Sequence, residues 1–254
     1  MAMANVVTAL AVLEAVGEHQ PVGVRELARA TGVPKSTVQR CLDTLAEAGW
    51  LVRGPTSAWS LSLRSAVVGG HAGSSGALRD LARPAMLRLH DACDETVRLW
   101  VPDDDRVVVV DSVESQRALR TVAGSTTMPL HATAAGKAVL AALPDDEREA
   151  LLARPLAALT GQTVTDPALL RDQLAAGRAR GWTETRHEAH PDIGAVAAAV
   201  VDPRGRPVAA LALTLPLHRL TEELALRYGQ LVAAEAAGLS AMLAGDRGDG
   251  LVHS

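Results

Sequence analysis

The chain has 254 residues, 48% of them hydrophobic and 21% charged, which is typical of a folded globular protein and excludes a disordered chain. Its net charge of −4 excludes a surface that is basic throughout, although a local basic patch for nucleic acid is compatible with it. No apolar run approaches the roughly 20 residues of a membrane span, and no basic stretch precedes the apolar N-terminal residues, so we expect a cytoplasmic protein without membrane contact. The two cysteines, Cys41 and Cys93, fall in apolar helical patterns, so we expect two buried, reduced thiols.

Three short helices are predicted before Gly49. The first carries an apolar stripe, and the second covers roughly Val24–Ala30 and ends at Gly32, which can adopt the left-handed conformation of a helix cap. The third follows Pro34 and runs to about Ala48. Two helices joined by a short turn that contains glycine are typical of a helix-turn-helix, whose second helix enters the major groove of DNA.

Polar residues dominate the outward face of the third helix, close to its N-terminus. Lys35 and Arg40 can neutralise phosphates or read guanine, and Gln39 can pair with adenine through two hydrogen bonds. Ser36 and Thr37 can bind phosphates or base edges. We therefore predict that these five side chains contact an operator in double-stranded DNA.

A small hairpin is predicted after the helices. The runs Leu51–Arg53 and Trp59–Leu63 flank a turn at residues 54–57, and this order of elements is typical of a winged helix-turn-helix. Arg53 is placed to touch the DNA backbone. Four basic and two acidic residues lie between positions 32 and 64, a modest positive excess for DNA binding. The alternative is a small helical bundle with a polar surface.

A glycine- and serine-rich run at residues 69–76 predicts a hinge after a DNA-binding domain of residues 1–73. The helical pattern of Ala77–Cys93 predicts a connector helix over residues 74–93. Pro84, inside this pattern, predicts a kink or a break.

Strands and helices are mixed from Thr96 onward, in an order that predicts an α+β domain with a mainly antiparallel sheet over residues 94–246, followed by a polar tail at 247–254. The predicted strands are two hairpins and one short addition: Thr96–Val101 with Arg106–Val113, Ala195–Val201 with Pro207–Leu215, and Leu119–Val122. The predicted helices are Thr133–Leu143, Asp145–Ala153, Thr165–Arg180 and Thr221–Leu243.

Three stretches resemble the IclR family of transcriptional regulators, and the resemblance spans residue 5 to about residue 244. They are Glu26–Arg40, Pro129–Ala138 and the threonine-rich Thr160–Asp166. The resemblance implies that the N-terminal winged helix binds operator DNA. It also implies a C-terminal domain similar to GAF and PAS folds that binds a small-molecule effector, often a carboxylate, and a homodimer or homotetramer that acts, for example, as a repressor.

An effector site is predicted where a helix begins near Thr133. The first amides of a helix have no partner within it and attract anions, and the small residues Ala134, Ala135 and Gly136 let a ligand approach the backbone. By resemblance, the effector contacts of the family correspond here to Leu130, Ala135, Gly136, Thr185, Ile193, Ala195, Ala212 and Thr214.

Several positions depart from the pattern of the family. Ala195 and Ala212 stand where some members have cysteine or serine, and Asp192 and Ala199 replace a usual glycine and a usual proline. Because fewer hydroxyl and thiol groups point into the pocket, we expect an effector more apolar than a keto acid of two or three carbons.

Other features near this site have competing interpretations. Lys137 either faces solvent or contributes to the site. His187 and His190 resemble metal ligands, but two histidines in a loop without further ligands are a weak signal, and the acidic turn at 103–105 is typical of a solvated turn. Glu188 belongs, by resemblance, to the loop before an inner strand. We therefore expect no metal and no other cofactor.

Two functions compete with that of a DNA-binding regulator controlled by an effector. An enzyme is disfavoured because the chain has no Gly-x-Ser-x-Gly, Gly-x-Gly-x-x-Gly, P-loop or Cys-x-x-Cys motif. The second alternative is a ligand-sensing module whose winged helix contacts another protein.

Overall fold

The computed structural model describes residues 3–54, 57–65, 73–117 and 125–245. Contacts between residues divide the chain into two compact units, Met1–Gly76 and Ala77–Ser254. The strand predicted at Leu119–Val122 and the tail predicted at 247–254 lie outside the described residues. Within those described ranges, no helix is long and apolar enough to cross a bilayer.

Three helices pack together in the first unit; they are α1 (Ala4–His19), α2 (Val24–Thr31) and α3 (Lys35–Glu47). α2 ends at Gly32, whose φ of 68° lies in the left-handed region that favours glycine. Val16, Leu27 and Leu42 are completely buried between the helices. This shared core fixes α3 as the second helix of a helix-turn-helix.

A two-stranded antiparallel hairpin follows α3, with β1 at Leu51–Arg53 and β2 at Trp59–Leu61. The second strand ends at Leu61, earlier than the predicted Leu63. Trp59 is buried in the helical core, and its backbone also pairs with Val22 just before α2. The hairpin is thereby attached to the helices, and the predicted winged helix-turn-helix is confirmed.

The second unit is built on a six-stranded sheet in which every neighbouring pair is antiparallel. In spatial order the strands are β5 (Thr127–Pro129), β4 (Arg106–Val113), β3 (Thr96–Asp103), β8 (Pro207–Pro216), β7 (Ile193–Val201) and β6 (Thr183–Arg186). The two predicted hairpins lie side by side because β3 pairs with β8. The predicted α+β class is confirmed, whereas the short edge strands β5 and β6 were not predicted.

Helices cover both faces of this sheet; they are α4 (Gly73–Cys93), α5 (Ala134–Ala142), α6 (Asp145–Leu152), α7 (Pro167–Arg180) and α8 (Glu222–Gly245). On one face, Val97 and Leu99 share a core with side chains of α4 and α8. On the other face, Trp100 shares a second core with side chains of α5 and α7. Because successive residues of a strand point to opposite faces, β3 contributes to both cores.

α4 runs unbroken through Pro84, so the break that this proline allowed does not occur. Ala82, Met86 and Leu89 on the same helix are buried in a core of the second unit. This packing offsets the backbone hydrogen bond that proline cannot donate. From Ala77 onward, α4 is therefore a structural helix of the second unit as well as a connection to the first.

The two cysteines should differ in reactivity. Cys93 is buried at the end of α4, and burial raises the pKa of its thiol from 9.0 to about 11, whereas Cys41 is only half-buried, contrary to expectation. Because the thiolate is the reactive form, we expect iodoacetamide at pH 8 to alkylate Cys41 much faster than Cys93 in the native protein. Mass spectrometry of the alkylated peptides measures both rates, and equal rates would contradict the prediction.

The same thiol gives a pH dependence. Between pH 9.0 and about 11, Cys93 keeps its proton in the folded chain but loses it in the unfolded chain. Its contribution to the free energy of unfolding is therefore complete below this window and is lost as the pH rises through it. A Cys93→Ala variant serves as the control, because its stability lacks this contribution at every pH.

Candidate DNA interface and effector site

The residues predicted to contact DNA lie together at the start of α3. Lys35, Ser36 and Arg40 are exposed, whereas Thr37 and Gln39 are partly buried. The exposed cations lie within the first two turns, where a recognition helix meets base edges and phosphates. The predicted side chains thus lie close together at one end of α3.

Two side-chain contacts orient further polar groups in this unit. Nε2 of Gln39 donates a hydrogen bond of 2.8 Å to Oδ1 of Asp43, one helical turn later. The second N–H of this amide and its Oε1 are not used by this bond, and they are the donor and acceptor that pairing with adenine requires. On the β1–β2 hairpin, which forms the wing, the exposed guanidinium of Arg53 lies over the Trp59 ring, 5.6 Å from its centroid.

A cavity of about 310 Å³ lies in the second unit, between the sheet and the start of α5. Six of the eight positions predicted to contact the effector line it: Ala135, Thr185, Ile193, Ala195, Ala212 and Thr214. The strand register explains their proximity, because Thr185 is paired with Ala195 and Ala195 with Thr214 across three adjacent strands. These strand residues all lie on the α5 face of the sheet.

The other two predicted positions, Leu130 and Gly136, do not line this cavity. A Cβ on Gly136 would lie 2.1 Å from the carbonyl oxygen of Leu130, so the two backbones touch directly. The absence of a side chain at Gly136 therefore serves close packing of α5 on the short helical turn at Leu130–Ala132, and not the approach of a ligand. Leu130 is buried in the same core as the side chains of α5, next to residues that line the cavity.

The first turn of α5 is held by two hydroxyl groups. The amide of Gly136 donates to Oγ1 of Thr133 at 3.0 Å, so one amide of the predicted anion site is already satisfied. Oγ1 of Thr183 donates to the carbonyl oxygen of Ala134 at 2.7 Å, which ties β6 to the helix. Ala134 and Ala135 line the cavity, and the amides of a first helical turn have no acceptor within the helix.

Lys137 does not face solvent. Only 1% of its surface is exposed, and its Nζ lies 2.5 Å from Oε1 of Glu188 and 2.6 Å from Oε1 of Gln173. Burial lowers the pKa of the Lys137 ammonium, while the carboxylate of Glu188 acts in the opposite direction. The pair joins α5 to the loop between β6 and β7, and this loop contributes Ala189 and His190 to the cavity wall.

The threonine-rich stretch holds the same loop from the other side. Oγ1 of Thr160 donates to the carbonyl oxygen of His187 at 2.6 Å, and Oγ1 of Thr163 donates to that of Glu188 at 2.7 Å. The amide of Val164 donates to Oε2 of Glu188 at 3.2 Å. Glu188 is thus the point at which α5, the threonine-rich stretch and the cavity loop meet.

The loop histidines and the acidic turn have partners other than a metal. Nδ1 of His187 contacts the carbonyl oxygen of Pro191, and His190 lines the cavity. Asp104 forms an ion pair of 2.9 Å with Arg154. In the part of the chain that the structure describes, no group of three or more His, Cys, Asp or Glu residues could hold a metal ion.

Sequence reasoning missed several residues of the cavity wall, of which Arg98 and Trp100 are the most distinctive. Both lie on β3, two positions apart, so they point to the same face of the sheet. The alternation of residues in Thr96–Val101 contained this signal. It was overlooked because an arginine is usually exposed, whereas Arg98 is only 5% exposed.

Removing one partner of the Lys137–Glu188 pair should strongly destabilise the second unit. In Lys137→Met, Glu188 keeps a buried carboxylate without its cation, and such a loss typically costs about 3–5 kcal/mol. Urea unfolding followed by circular dichroism measures the loss, and adding Glu188→Gln should restore part of it. Arg154→Met, which breaks an exposed pair, is the control and should cost about 1 kcal/mol or less. A Lys137→Met variant as stable as this control would show that the pair is dispensable.

Comparison with known proteins relates both units to one family. Residues 6–55 match the IclR helix-turn-helix domain, and residues 71–241 match the family described as "Bacterial transcriptional regulator IclR C-terminal". The chain is 31% identical to the acetate operon repressor of Salmonella typhimurium, over 94% of this chain and 89% of the repressor. It is 30% identical to the transcriptional repressor IclR of Escherichia coli, over 89% of this chain and 85% of that protein.

Solved structures share the fold. The IclR of Thermotoga maritima aligns with a TM-score of 0.74 and 24% identity over 95% of this chain and 99% of that chain. An IclR homologue of Microbacterium hydrocarbonoxydans, solved in complex with 4-hydroxybenzoate, aligns with a TM-score of 0.76 and 24% identity over 94% of this chain and 99% of that chain. With a winged helix in the first unit and a ligand-sized cavity in the second, this chain belongs to the IclR family of bacterial transcriptional regulators.

Proposed function

We propose that this protein binds operator DNA through α3 and the wing, and that an effector in the cavity of the second unit controls this binding. The observation that carries the proposal is the cavity, because six positions expected to contact an effector line the same pocket. In the DNA complex, Lys35 and Arg40 bind phosphates or guanine, Gln39 reads adenine, and Ser36 and Thr37 add hydrogen bonds. Arg53 contacts the backbone beside the groove.

The proposed regulatory mechanism is a shift between two populations. A homodimer or homotetramer places two winged helices on half-sites about 34 Å apart or a multiple of that distance. The effector binds one geometry of α4 more tightly than another and so changes the spacing of the two winged helices; a ligand with equal affinity for both geometries would shift nothing. The regulator acts in the cytoplasm, where its operator is.

The effector is proposed to combine a carboxylate with an apolar body. Ala195 and Ala212 leave apolar space in the cavity, while the start of α5 can accept an anion. The 4-hydroxybenzoate bound to the Microbacterium relative has this chemistry, a carboxylate on an apolar ring. The acetate operon repressor of Salmonella typhimurium and the repressor IclR of Escherichia coli are both transcriptional regulators, which supports a regulator over an enzyme.

The DNA-binding prediction is tested with the DNA upstream of the protein's own gene. We expect sequence-selective binding in fluorescence anisotropy that weakens steeply as the salt concentration rises, because bound phosphates release counterions. Arg40→Ala should weaken operator binding by about tenfold or more, as expected for the loss of a base or phosphate contact. Arg154→Ala, in the second unit, is the matched control and should bind like the wild type.

Two results would argue against the proposed DNA contact. Unchanged operator affinity in Arg40→Ala would show that α3 does not bind DNA in the proposed way. If the protein bound no DNA sequence selectively, at either low or high salt, the result would favour a winged helix that contacts another protein.

The polarity of the effector is tested by calorimetry with two small keto acids. Because the cavity has apolar walls around Ala195 and Ala212, we expect glyoxylate and pyruvate to bind only weakly, with dissociation constants above about 1 mM. Ala212→Ser, which adds a hydroxyl group to the cavity wall, is expected to strengthen the binding of pyruvate. Micromolar binding of either keto acid to the wild-type protein would refute the apolar assignment.

A further inference from the structure

Arg98 is a buried cation in the wall of the effector cavity. It lies on β3, directly opposite Ala212 of β8, and only 5% of its surface is exposed to solvent. Arginine is rarely buried to this extent unless it is fully paired. The question is therefore which group pairs with it.

The protein supplies only a weak partner. The nearest carboxylate, that of Glu114, lies 3.7 Å from Nη2 of Arg98, which is too long for a hydrogen bond. Glu114 is itself 49% exposed and accepts a hydrogen bond of 2.5 Å from Oγ of Ser112. Among the hydrogen bonds between described residues, none of 3.5 Å or less has the Arg98 guanidinium as its donor, and Glu114 reaches it only as a long ion pair. Burial lowers the pKa of Arg98, whereas the nearby carboxylate of Glu114 acts in the opposite direction and compensates part of the cost of burying this charge.

The rest of the cavity wall suits the apolar part of a ligand. Trp100, Met128 and Ile193 contribute large apolar surfaces, and none of the described residues that line the cavity is acidic. The indole Nε1 of Trp100 is also buried without a hydrogen-bond partner among the described residues. A volume of about 310 Å³ is at the lower end of the range of about 300–1,000 Å³ for small-molecule sites.

We propose that Arg98, rather than the amides at the start of α5, is the main partner of the effector's carboxylate, and that a ring-sized apolar body of the same molecule packs against Trp100. This inference rests on the proposed function, because it takes the cavity as the effector site. A guanidinium presents two parallel N–H donors that match the two oxygens of a carboxylate. The ligand thus supplies the hydrogen bonds that the fold leaves unmade at Arg98, and the charge selects acids over neutral molecules of the same shape.

The test compares ligands of equal shape and different charge on the full-length protein. Calorimetry with benzoate, cyclohexanecarboxylate and benzamide should show that the wild type binds at least one of the acids at least about tenfold more tightly than the neutral amide. Arg98→Met, which keeps the length of the side chain, should remove this preference, and Arg98→Lys should retain part of it. Arg83→Met is the matched control, because Arg83 pairs with Asp111 at the surface, 2.9 Å away, outside the cavity.

Thermal unfolding without ligand separates a binding role from a structural one. Because Arg98→Met removes a buried, poorly paired charge, we expect its melting temperature to equal or exceed that of the wild type. If Arg98 were needed only for folding, Arg98→Met would have a lower melting temperature than the wild type. The ratio of acid affinity to amide affinity would then be unchanged.

Each other outcome overturns the inference. It is overturned if the wild type binds neither acid, if it binds benzamide as tightly as benzoate, or if Arg98→Met binds the acids like the wild type. Operator binding is measured separately, with and without benzoate. If an acid binds through Arg98 but no condition changes operator binding, the anchor is correct and the proposed regulatory function is wrong.

Discussion

The buried ion pair between Lys137 and Glu188 is the interaction on which the architecture of the site depends. It connects the first turns of α5 to the loop before β7 at a point where both elements contribute to the cavity wall. Two charges at this depth are tolerated because Gln173 and the amide of Val164 provide further hydrogen bonds.

A second constraint is the alternation of side chains along β3. Val97 and Leu99 belong to the core beneath α4 and α8, while Arg98 and Trp100 face the cavity beneath α5. A shift of register by one residue would exchange these sets, placing a guanidinium in an apolar core. The pairing of β3 with β8 therefore determines both the stability of the second unit and the chemistry of the site.

Local patterns in the sequence were sufficient for most of the fold. The helix ends at Gly32 and Gly181 and the two long hairpins follow from turn chemistry and strand periodicity. Short edge strands such as Thr183–Arg186 escaped because four residues carry little pattern of their own, and the strand is defined by its pairing with β7. The position of Lys137 stayed open between solvent and the site because its partner Glu188 lies 51 positions away in the chain.

The alanine side chains at positions 195 and 212 leave only methyl groups on the part of the sheet that they contribute to the cavity wall. Each is paired with a neighbouring strand through the backbone alone, so the register does not depend on its side chain. The depth of the site can therefore change by substitution at either position while the hydrogen bonds of the sheet remain in place. Substitution at these two positions thus provides a way for proteins of this fold to recognise effectors of different length. The same two positions are suitable for engineering a biosensor for a chosen acid.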